Sequence, residues 1–158
     1  MHSYSKIMLP LTIPLSLIYG CFVWIRNNFY ERGWIKIAAF NKPIISVGNI
    51  TTGGTGKTPL VIYLAQILQK NGKKPGIISR GYGRKSEGLH VVHDGKKLIT
   101  NVEIAGDEPF LMGRILKNIP IIVSKNRING IKKLIDYYFI DIIIMDDGFQ
   151  HRRVKRDL

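Results

Sequence analysis

The sequence contains little cysteine and few acidic residues. Its 158 residues include a single cysteine, Cys21, which excludes an internal disulfide framework and fits a reducing compartment. Only 11 residues are Asp or Glu, against 24 Lys and Arg, and the formal net charge is +13. This excess favours an anionic partner: nucleic acid, nucleotide phosphates or an acidic lipid surface. The length allows one domain with a core and is short for a two-domain enzyme.

The few acidic residues are unevenly distributed along the chain. Two doublets stand out among the 11 acids, Asp107 with Glu108 and Asp146 with Asp147. Paired carboxylates in a chain this poor in acids indicate a cation site, so Glu108, Asp146 and Asp147 are candidate metal ligands. The first doublet has an alternative role, because acidic residues also stabilise the first turn of a helix.

Charged residues are absent from residues 7–25, a run long enough to be a transmembrane candidate. Pro10 and Pro14 disfavour a straight helix through its first half, because each removes a backbone donor. We predict a helix from about Pro14 to about Phe29. At ~1.5 Å per residue it would be about 24 Å long, shorter than the ~30 Å hydrocarbon core of a bilayer.

Aromatic and basic residues lie at the end of this run and just beyond it: Trp24, Arg26, Tyr30, Arg32, Trp34 and Lys36. Such a combination is typical of a membrane–water interface. We therefore predict that residues 1–40 form a membrane-associating segment, whose helix lies in or dips into the cytoplasmic leaflet rather than crossing the bilayer. Residues 41–158 are expected to form the globular domain.

A phosphate-binding loop follows this segment. Residues 43–48 form a short apolar run typical of a buried strand, and a glycine-rich loop ending in Gly-Lys-Thr and an apolar helix come next, which is the context of a Walker A motif. Backbone N–H groups of such a loop surround phosphate oxygens, while Lys57 would reach the β- and γ-phosphates and Thr58 would ligate Mg²⁺. The candidate nucleotide-binding residues are Thr51, Thr52, Gly53, Gly54, Thr55, Gly56, Lys57 and Thr58.

The loop leaves the class of nucleotide-binding protein open. The strict Walker A pattern has glycine where this chain has Thr51, and the motif does not separate kinases from GTPases or ATPases. The loop also resembles that of the MinD/ParA ATPases, which carry a signature lysine where this chain has Thr52. A MinD/ParA-like, membrane-associated P-loop ATPase is therefore the alternative.

Strand-like and helix-like segments alternate through the rest of the chain. Strands are predicted at residues 75–79, 120–124 and 141–145, helices at 106–117 and 127–138, and a hairpin with arms 89–93 and 97–100. The alternation predicts an α/β fold with a doubly wound, mostly parallel sheet of the P-loop NTPase type. Ligands on such sheets bind at the carboxyl ends of the strands, where the Walker A loop, residues 80–84 and Asp146 and Asp147 should converge. These two aspartates end an apolar strand, as Walker B residues do.

Five blocks carry a family likeness when taken in order: residues 14–20 (PLSLIYG), 47–59 (VGNITTGGTGKTP), 79–83 (SRGYG), 106–109 (GDEP) and 146–151 (DDGFQH). Together they resemble the tetraacyldisaccharide 4'-kinase family, including its unusual threonine in the phosphate-binding loop. The likeness extends from about Pro14 to the C-terminus. Each block is modestly specific, but five in register are highly specific.

The resemblance implies transfer of the ATP γ-phosphate to the 4'-hydroxyl of a tetraacyldisaccharide 1-phosphate, a lipid A precursor, with Mg²⁺ as the metal. It implies catalytic roles for Lys57 on the nucleotide and for Asp107 as the base that activates the sugar hydroxyl. It also implies that His151 joins Asp146 and Asp147 at the metal and phosphate end. Arg80 and Tyr82 would line the nucleotide site.

The resemblance also implies partners and a location. The partners would be the lipid A disaccharide precursor and inner-membrane lipid, at the cytoplasmic face of the bacterial inner membrane. No nucleic-acid partner is expected, because no recognised nucleic-acid-binding module occurs in the sequence. Members of the family are longer and have a second domain, so we expect residues 41–158 to be a truncated kinase core that lacks the C-terminal domain and is inactive alone.

Overall fold

The computed structural model describes residues 4–49, 56–149 and 151–158. The chain divides into two compact units, Met1–Ile37 and Ala38–Leu158. The functional roles predicted for residues 1–40 and 41–158 stay predictions.

The first unit consists of helix α1, Tyr4–Glu31, and the residues that follow it. The helix begins ten residues before the predicted start at Pro14. A proline within a helix costs one backbone hydrogen bond, and Pro10 and Pro14 lie four residues apart, so both missing donors fall on one side of α1. After α1 the chain turns, and the ring of Trp34 lies 5.1 Å from that of Phe29. No helix in the described ranges is both long and apolar enough to cross a membrane.

The second unit is built on a five-stranded sheet. Its strands are β1 Ile44–Val47, β2 Pro75–Ser79, β3 Leu89–Asp94, β4 Pro120–Ser124 and β5 Ile142–Asp146. They lie in the order β1-β5-β2-β4-β3, and all neighbouring pairs are parallel except β3 with β4. The prediction of an α/β fold with a mostly parallel sheet is therefore confirmed. β2 and β4 are buried at every position, which explains why both are continuous apolar runs.

Helices cover both faces of this sheet. They are α2 Lys57–Lys70, α3 Val102–Ala105, α4 Asp107–Ile115 and α5 Arg127–Tyr137. One core packs α2 and α4 against one face, with Val61, Ala65, Met112, Ile77, Ile121 and Ile144 fully buried. The other core packs α5 against the opposite face, with Ile131, Leu134, Ile78, Ile122 and Ile143 fully buried. Consecutive strand residues point to opposite faces, so each strand contributes to both cores.

The predicted hairpin is only partly formed. Its second arm is reduced to an isolated bridge between His93 and Leu98. The first arm, β3, pairs instead with β4 as an antiparallel edge strand. The sequence does not predict this pairing, because it joins segments that are distant in sequence. The pairing satisfies backbone groups that β4 would otherwise expose at the sheet edge.

Candidate active site

A cleft of about 610 Å³ lies at the carboxyl edge of the sheet. The strand order places β5 between β1 and β2, so the loops that follow these three strands are neighbours. The start of α2, the loop after β2, the start of α4 and the end of β5 all contribute to its wall. Residues that line the cleft and were predicted from the sequence to belong to the site are Gly56, Lys57, Thr58, Arg80, Tyr82, Glu108, Asp146 and Asp147. Ser79 also lines the cleft and was not predicted.

The amino terminus of α2 forms one side of the cleft. Gly56 adopts a left-handed conformation with φ of 74° and gives the helix no side-chain cap. The first turn of α2 contains no acidic residue, and Thr58 is buried. An anion at this end would meet backbone N–H groups and the positive end of the helix dipole. The predictions for Thr51, Thr52, Gly53, Gly54 and Thr55 concern residues outside the described ranges.

Lys57 and Asp147 form an ion pair across the cleft. The Lys57 ammonium donates to Oδ1 of Asp147 at 2.7 Å, and this hydrogen bond raises the pKa of Lys57. Asp147 holds a left-handed backbone conformation with φ of 50°, directly after the last residue of β5. The turn that follows β5 therefore brings a carboxylate to the lysine of the Walker A motif.

Asp146 is buried at the end of β5, with 1% of its surface exposed. Its Oδ2 accepts a hydrogen bond from the Ser79 hydroxyl at 2.8 Å, whereas its Oδ1 has no hydrogen-bond partner among the described residues. Burial raises the pKa of this carboxyl, and the Ser79 hydrogen bond acts in the opposite direction. A buried carboxylate oxygen of this kind is suited to a cation, which would replace its lost hydration.

Asp146 is held in place by two residues that were not predicted from the sequence. Ser79 is the last residue of β2 and is 2% exposed, and Arg127 is the first residue of α5 and is also 2% exposed. The Arg127 guanidinium donates to the carbonyl oxygens of Ser124 at 2.6 Å and Asp146 at 3.1 Å. It therefore ties the ends of β4 and β5 together. Neither residue has a sequence signal of its own, although Ser79 begins the SRGYG block.

The described part of the chain contains no group of three or more His, Cys, Asp or Glu side chains placed to hold a metal by themselves. Thr58, Asp146 and Asp147 nevertheless line one cleft. Mg²⁺ commonly takes only one or two carboxylates from the protein and completes its shell with substrate phosphates and water. Thr58, Asp146 and Asp147 fit a site of that kind, and Glu108 lines the same cleft.

The cleft wall contributed by α4 depends on close backbone packing. Gly106 has φ of 88° and ψ of 157°, and a Cβ atom added there would lie 2.8 Å from the Tyr82 carbonyl oxygen. This approach places Glu108 in the cleft, where burial and the Asp146 carboxylate raise its pKa. Asp107 is exposed and immediately precedes Glu108, but it is not among the residues that line the cleft.

Replacing Gly106 with alanine is expected to lower the free energy of unfolding by about 2–4 kcal/mol, because the φ/ψ region is nearly exclusive to glycine and the methyl group meets the Tyr82 carbonyl. Urea denaturation measures the loss. Gly72→Ala is the control, since Gly72 has φ of 74° with no atom within 4 Å of its added Cβ, and its cost should be about 1–2 kcal/mol. Equal losses in the two variants would show that the Tyr82 contact is unimportant.

His151 lies in a second, smaller cavity. This cavity has a volume of about 200 Å³ and shares Arg80 and Asp147 with the larger cleft. Burial lowers the pKa of His151, and the Arg127 charge lowers it further, so both effects favour the neutral imidazole. The structure therefore places His151 beside the end of the cleft that holds Asp147.

Comparison with known proteins identifies relatives of this arrangement. The family model described as Tetraacyldisaccharide-1-P 4'-kinase matches residues 8–158. The tetraacyldisaccharide 4'-kinase of Desulfotalea psychrophila is 41% identical over 155 residues, covering 98% of this chain and 44% of that protein. The enzyme of that name from Aquifex aeolicus is 41% identical over 146 residues, covering 92% and 46%.

A solved structure, "apo" form LpxK from Aquifex aeolicus in complex with ATP, superimposes with a TM-score of 0.83 at 39% identity. The match covers 99% of this chain and 48% of that one. The chain thus spans about half the length of the relatives it matches. The family model matches nearly the whole of this chain, and the chain belongs to the tetraacyldisaccharide-1-P 4'-kinase family.

Proposed function

We propose that this protein acts in ATP-dependent phosphorylation of the 4'-hydroxyl of a tetraacyldisaccharide 1-phosphate, a precursor of lipid A. The observation that carries the proposal is the cleft itself, in which the start of α2 brings Lys57 and Thr58 to face Asp146 and Asp147. Phosphoryl transfer needs these parts: a cation and helix dipole for the phosphates, and carboxylates for a metal. The names of the relatives support the choice of acceptor.

ATP and Mg²⁺ are the proposed cofactors. The phosphates would lie at the amino terminus of α2, and they would compete with Asp147 for the Lys57 ammonium, leaving that carboxylate available to a metal. Thr58, Asp146 and Asp147 would hold Mg²⁺, with Glu108 as a further candidate. When bound, Mg²⁺ would withdraw charge from the β- and γ-phosphate oxygens. The Aquifex aeolicus relative is described as a complex with ATP, which supports ATP as the nucleotide.

The remaining candidate residues have positions that suit contact with an acceptor. Asp107 is exposed next to Glu108, so it could accept the proton of a sugar hydroxyl that enters from the open side. Tyr82 is 85% exposed and lines the cleft, as does Arg80. The His151 imidazole lies beside Arg80 and could hydrogen-bond a phosphate oxygen.

The proposal is tested with the product of the complete reading frame, incubated with γ-labelled ATP and tetraacyldisaccharide 1-phosphate in detergent micelles. Label should appear on the lipid at the 4' position. A MinD/ParA-like switch ATPase would release labelled phosphate without labelling the lipid. That alternative is not favoured, because the family match is to lipid kinases and Thr52 replaces the signature lysine.

We further propose that the first unit associates with the cytoplasmic face of the bacterial inner membrane. Large apolar side chains are exposed around α1, and five of them are between 55% and 72% exposed: Leu17, Ile18, Tyr19, Phe22 and Trp24. The first three are consecutive in sequence and therefore point to different sides of the helix. A helix that is apolar on all sides is suited to a lipid environment rather than to water. The basic excess of the chain would add attraction to anionic lipid, and no nucleic-acid partner is proposed.

Deleting residues 1–37 is expected to transfer the protein from the membrane fraction to the supernatant, because the deletion ends at the boundary between the two units. Sedimentation of cell lysates measures the change, and circular dichroism checks that the second unit stays folded. Washing the intact protein with 1 M salt should release little of it, since salt screens only the basic fringe of an apolar attachment, at a Debye length of ~3 Å. Continued sedimentation of the truncated protein at high salt would place the attachment elsewhere.

A further inference from the structure

The loop that follows β2, residues 80–88, carries two of the residues that line the cleft, Arg80 and Tyr82. Both side chains are exposed, so burial does not hold either of them in place. Three of the nine loop residues are glycines, with φ between 69° and 75°. Glycine has more backbone freedom than any other residue, so the position of the loop depends on contacts made by its other residues.

Arg84 supplies such contacts from within the loop. Its guanidinium donates to the Gly88 carbonyl oxygen at 2.6 Å and to the Ser86 hydroxyl at 3.3 Å. Its Cδ lies so close to Gly81 that a Cβ atom added to that glycine would be 2.7 Å away. Gly81 stands between the two cleft residues in sequence. The Arg84 side chain therefore joins the end of the loop to the part that lines the cleft.

The same loop is attached to α3. The Ser86 hydroxyl, which accepts from Arg84, donates to the Ile104 carbonyl oxygen at 2.7 Å. The backbone N–H of Lys85 donates to the Glu103 carbonyl oxygen at 2.9 Å. One residue separates α3 from α4, whose start forms another wall of the cleft. The loop and α3 thus connect two walls of the cleft.

The environment of Arg84 differs from that of its neighbour Lys85. Arg84 is half-buried, and its Nε is buried without a hydrogen-bond partner among the described residues. Burial lowers the pKa of its guanidinium. The Lys85 ammonium instead pairs with Glu103 at 2.9 Å, and their side chains are 76% and 60% exposed. An exposed pair of this kind contributes little, whereas hydrogen bonds from a half-buried guanidinium are stronger.

We propose that Arg84 is a positioning residue. It holds Arg80 and Tyr82 at the cleft by fastening the loop to itself and, through Ser86, to α3. Arg84 is not among the residues that line the cleft, so it acts on a ligand only through the loop. The consequence for ATP rests on the proposed function, whereas the fastening of the loop follows from the hydrogen bonds alone.

The first measurement is hydrogen–deuterium exchange of residues 80–88 in the complete protein. Arg84→Ala is expected to speed exchange in this loop about tenfold or more, the size of one lost charge-assisted hydrogen bond. Lys85→Ala is the matched control, because it removes the same charge from the next residue and keeps the backbone N–H that donates to Glu103. It should change exchange by about twofold or less. Unchanged exchange in Arg84→Ala, or equal acceleration in the two variants, would overturn the proposal.

The second measurement is the ATP affinity by isothermal calorimetry with Mg²⁺. Arg84→Ala should raise the Kd about five- to tenfold, because a smaller fraction of the protein then has the loop in its binding position. In the Arg80→Ala/Tyr82→Ala background the same change should raise the Kd by less than about twofold, since the loop no longer carries the side chains that Arg84 positions. An unchanged Kd in the first background, or equal losses in both, would contradict a positioning role.

Circular dichroism checks that each variant folds. If Arg84→Ala does not fold, Ser86→Ala takes its place under the same criteria, because it breaks the same link to α3. If the unmodified protein binds no ATP, the proposed function fails, and the exchange measurement alone decides whether Arg84 fixes the loop.

Discussion

Lys57→Ala is expected to weaken ATP binding by a factor of about 100 or more. The ammonium lies at the amino terminus of α2 and is the only described lysine that lines the cleft. Two charge-assisted hydrogen bonds to phosphate oxygens contribute about 1.5 kcal/mol or more each, and about 3 kcal/mol corresponds to a factor of more than 100 in Kd. Isothermal calorimetry with ATP and Mg²⁺ measures the change.

The control for this variant is Lys70→Ala, which removes a lysine from the opposite end of the same helix. It should leave ATP affinity within a factor of two. The free energy of unfolding should fall by less than about 1 kcal/mol in Lys57→Ala, because Lys57 and Asp147 are 21% and 49% exposed and solvent screens their ion pair. Unchanged ATP affinity in Lys57→Ala would contradict the assignment of the phosphate-binding loop.

The core strands could be predicted from the sequence because they are short apolar runs with clear ends. β2 and β4 have the predicted bounds, and β5 begins one residue later than predicted. The pairing of β3 with β4 could not be predicted in the same way, since strand order depends on packing between segments distant in sequence. The helix α3 could not be predicted either, because four residues are too few to show a helical periodicity. Its place in the fold depends on tertiary contacts, such as the ion pair of Glu103 with Lys85 at 2.9 Å.

The site residues also fall into two groups, those that a sequence motif predicts and those that only tertiary contacts reveal. Lys57, Thr58, Asp146 and Asp147 belong to motifs whose chemistry fixes the residue types, and the structure brings them to one cleft. Ser79 and Arg127 act through contacts, because one donates to the Asp146 carboxylate and the other to its backbone carbonyl. A serine at a strand end and an arginine at a helix start are ordinary residues in a sequence. Their roles appear only when β2, β4 and β5 are placed side by side.

The carboxylates at the site are expected to have separate roles in catalysis. In the complete protein, Asp107→Asn should lower kcat by roughly 10²–10⁴, the range for one acid–base group, with little change in ATP affinity. Asp107 is exposed at the start of α4, on an element separate from the strand that carries Asp146 and Asp147. Its position suits contact with an acceptor hydroxyl rather than with the phosphates at α2.

Asp146→Asn and Asp147→Asn should instead raise the Mg²⁺ concentration needed for half-maximal activity. Asp146 has a buried oxygen without a partner among the described residues, and Asp147 lines the same cleft as Thr58. The measurement is a titration of Mg²⁺ at saturating lipid and ATP for each variant, with Asp136→Asn, an exposed aspartate on α5, as the control for the lost charge. A metal ligand that is replaced by an amide loses charge but keeps an oxygen, so excess Mg²⁺ should restore part of the rate. It should restore none in Asp107→Asn, because a missing base is not replaced by metal. A shifted Mg²⁺ midpoint in Asp107→Asn, together with unshifted midpoints in both other variants, would place Asp107 at the metal and contradict this division of roles.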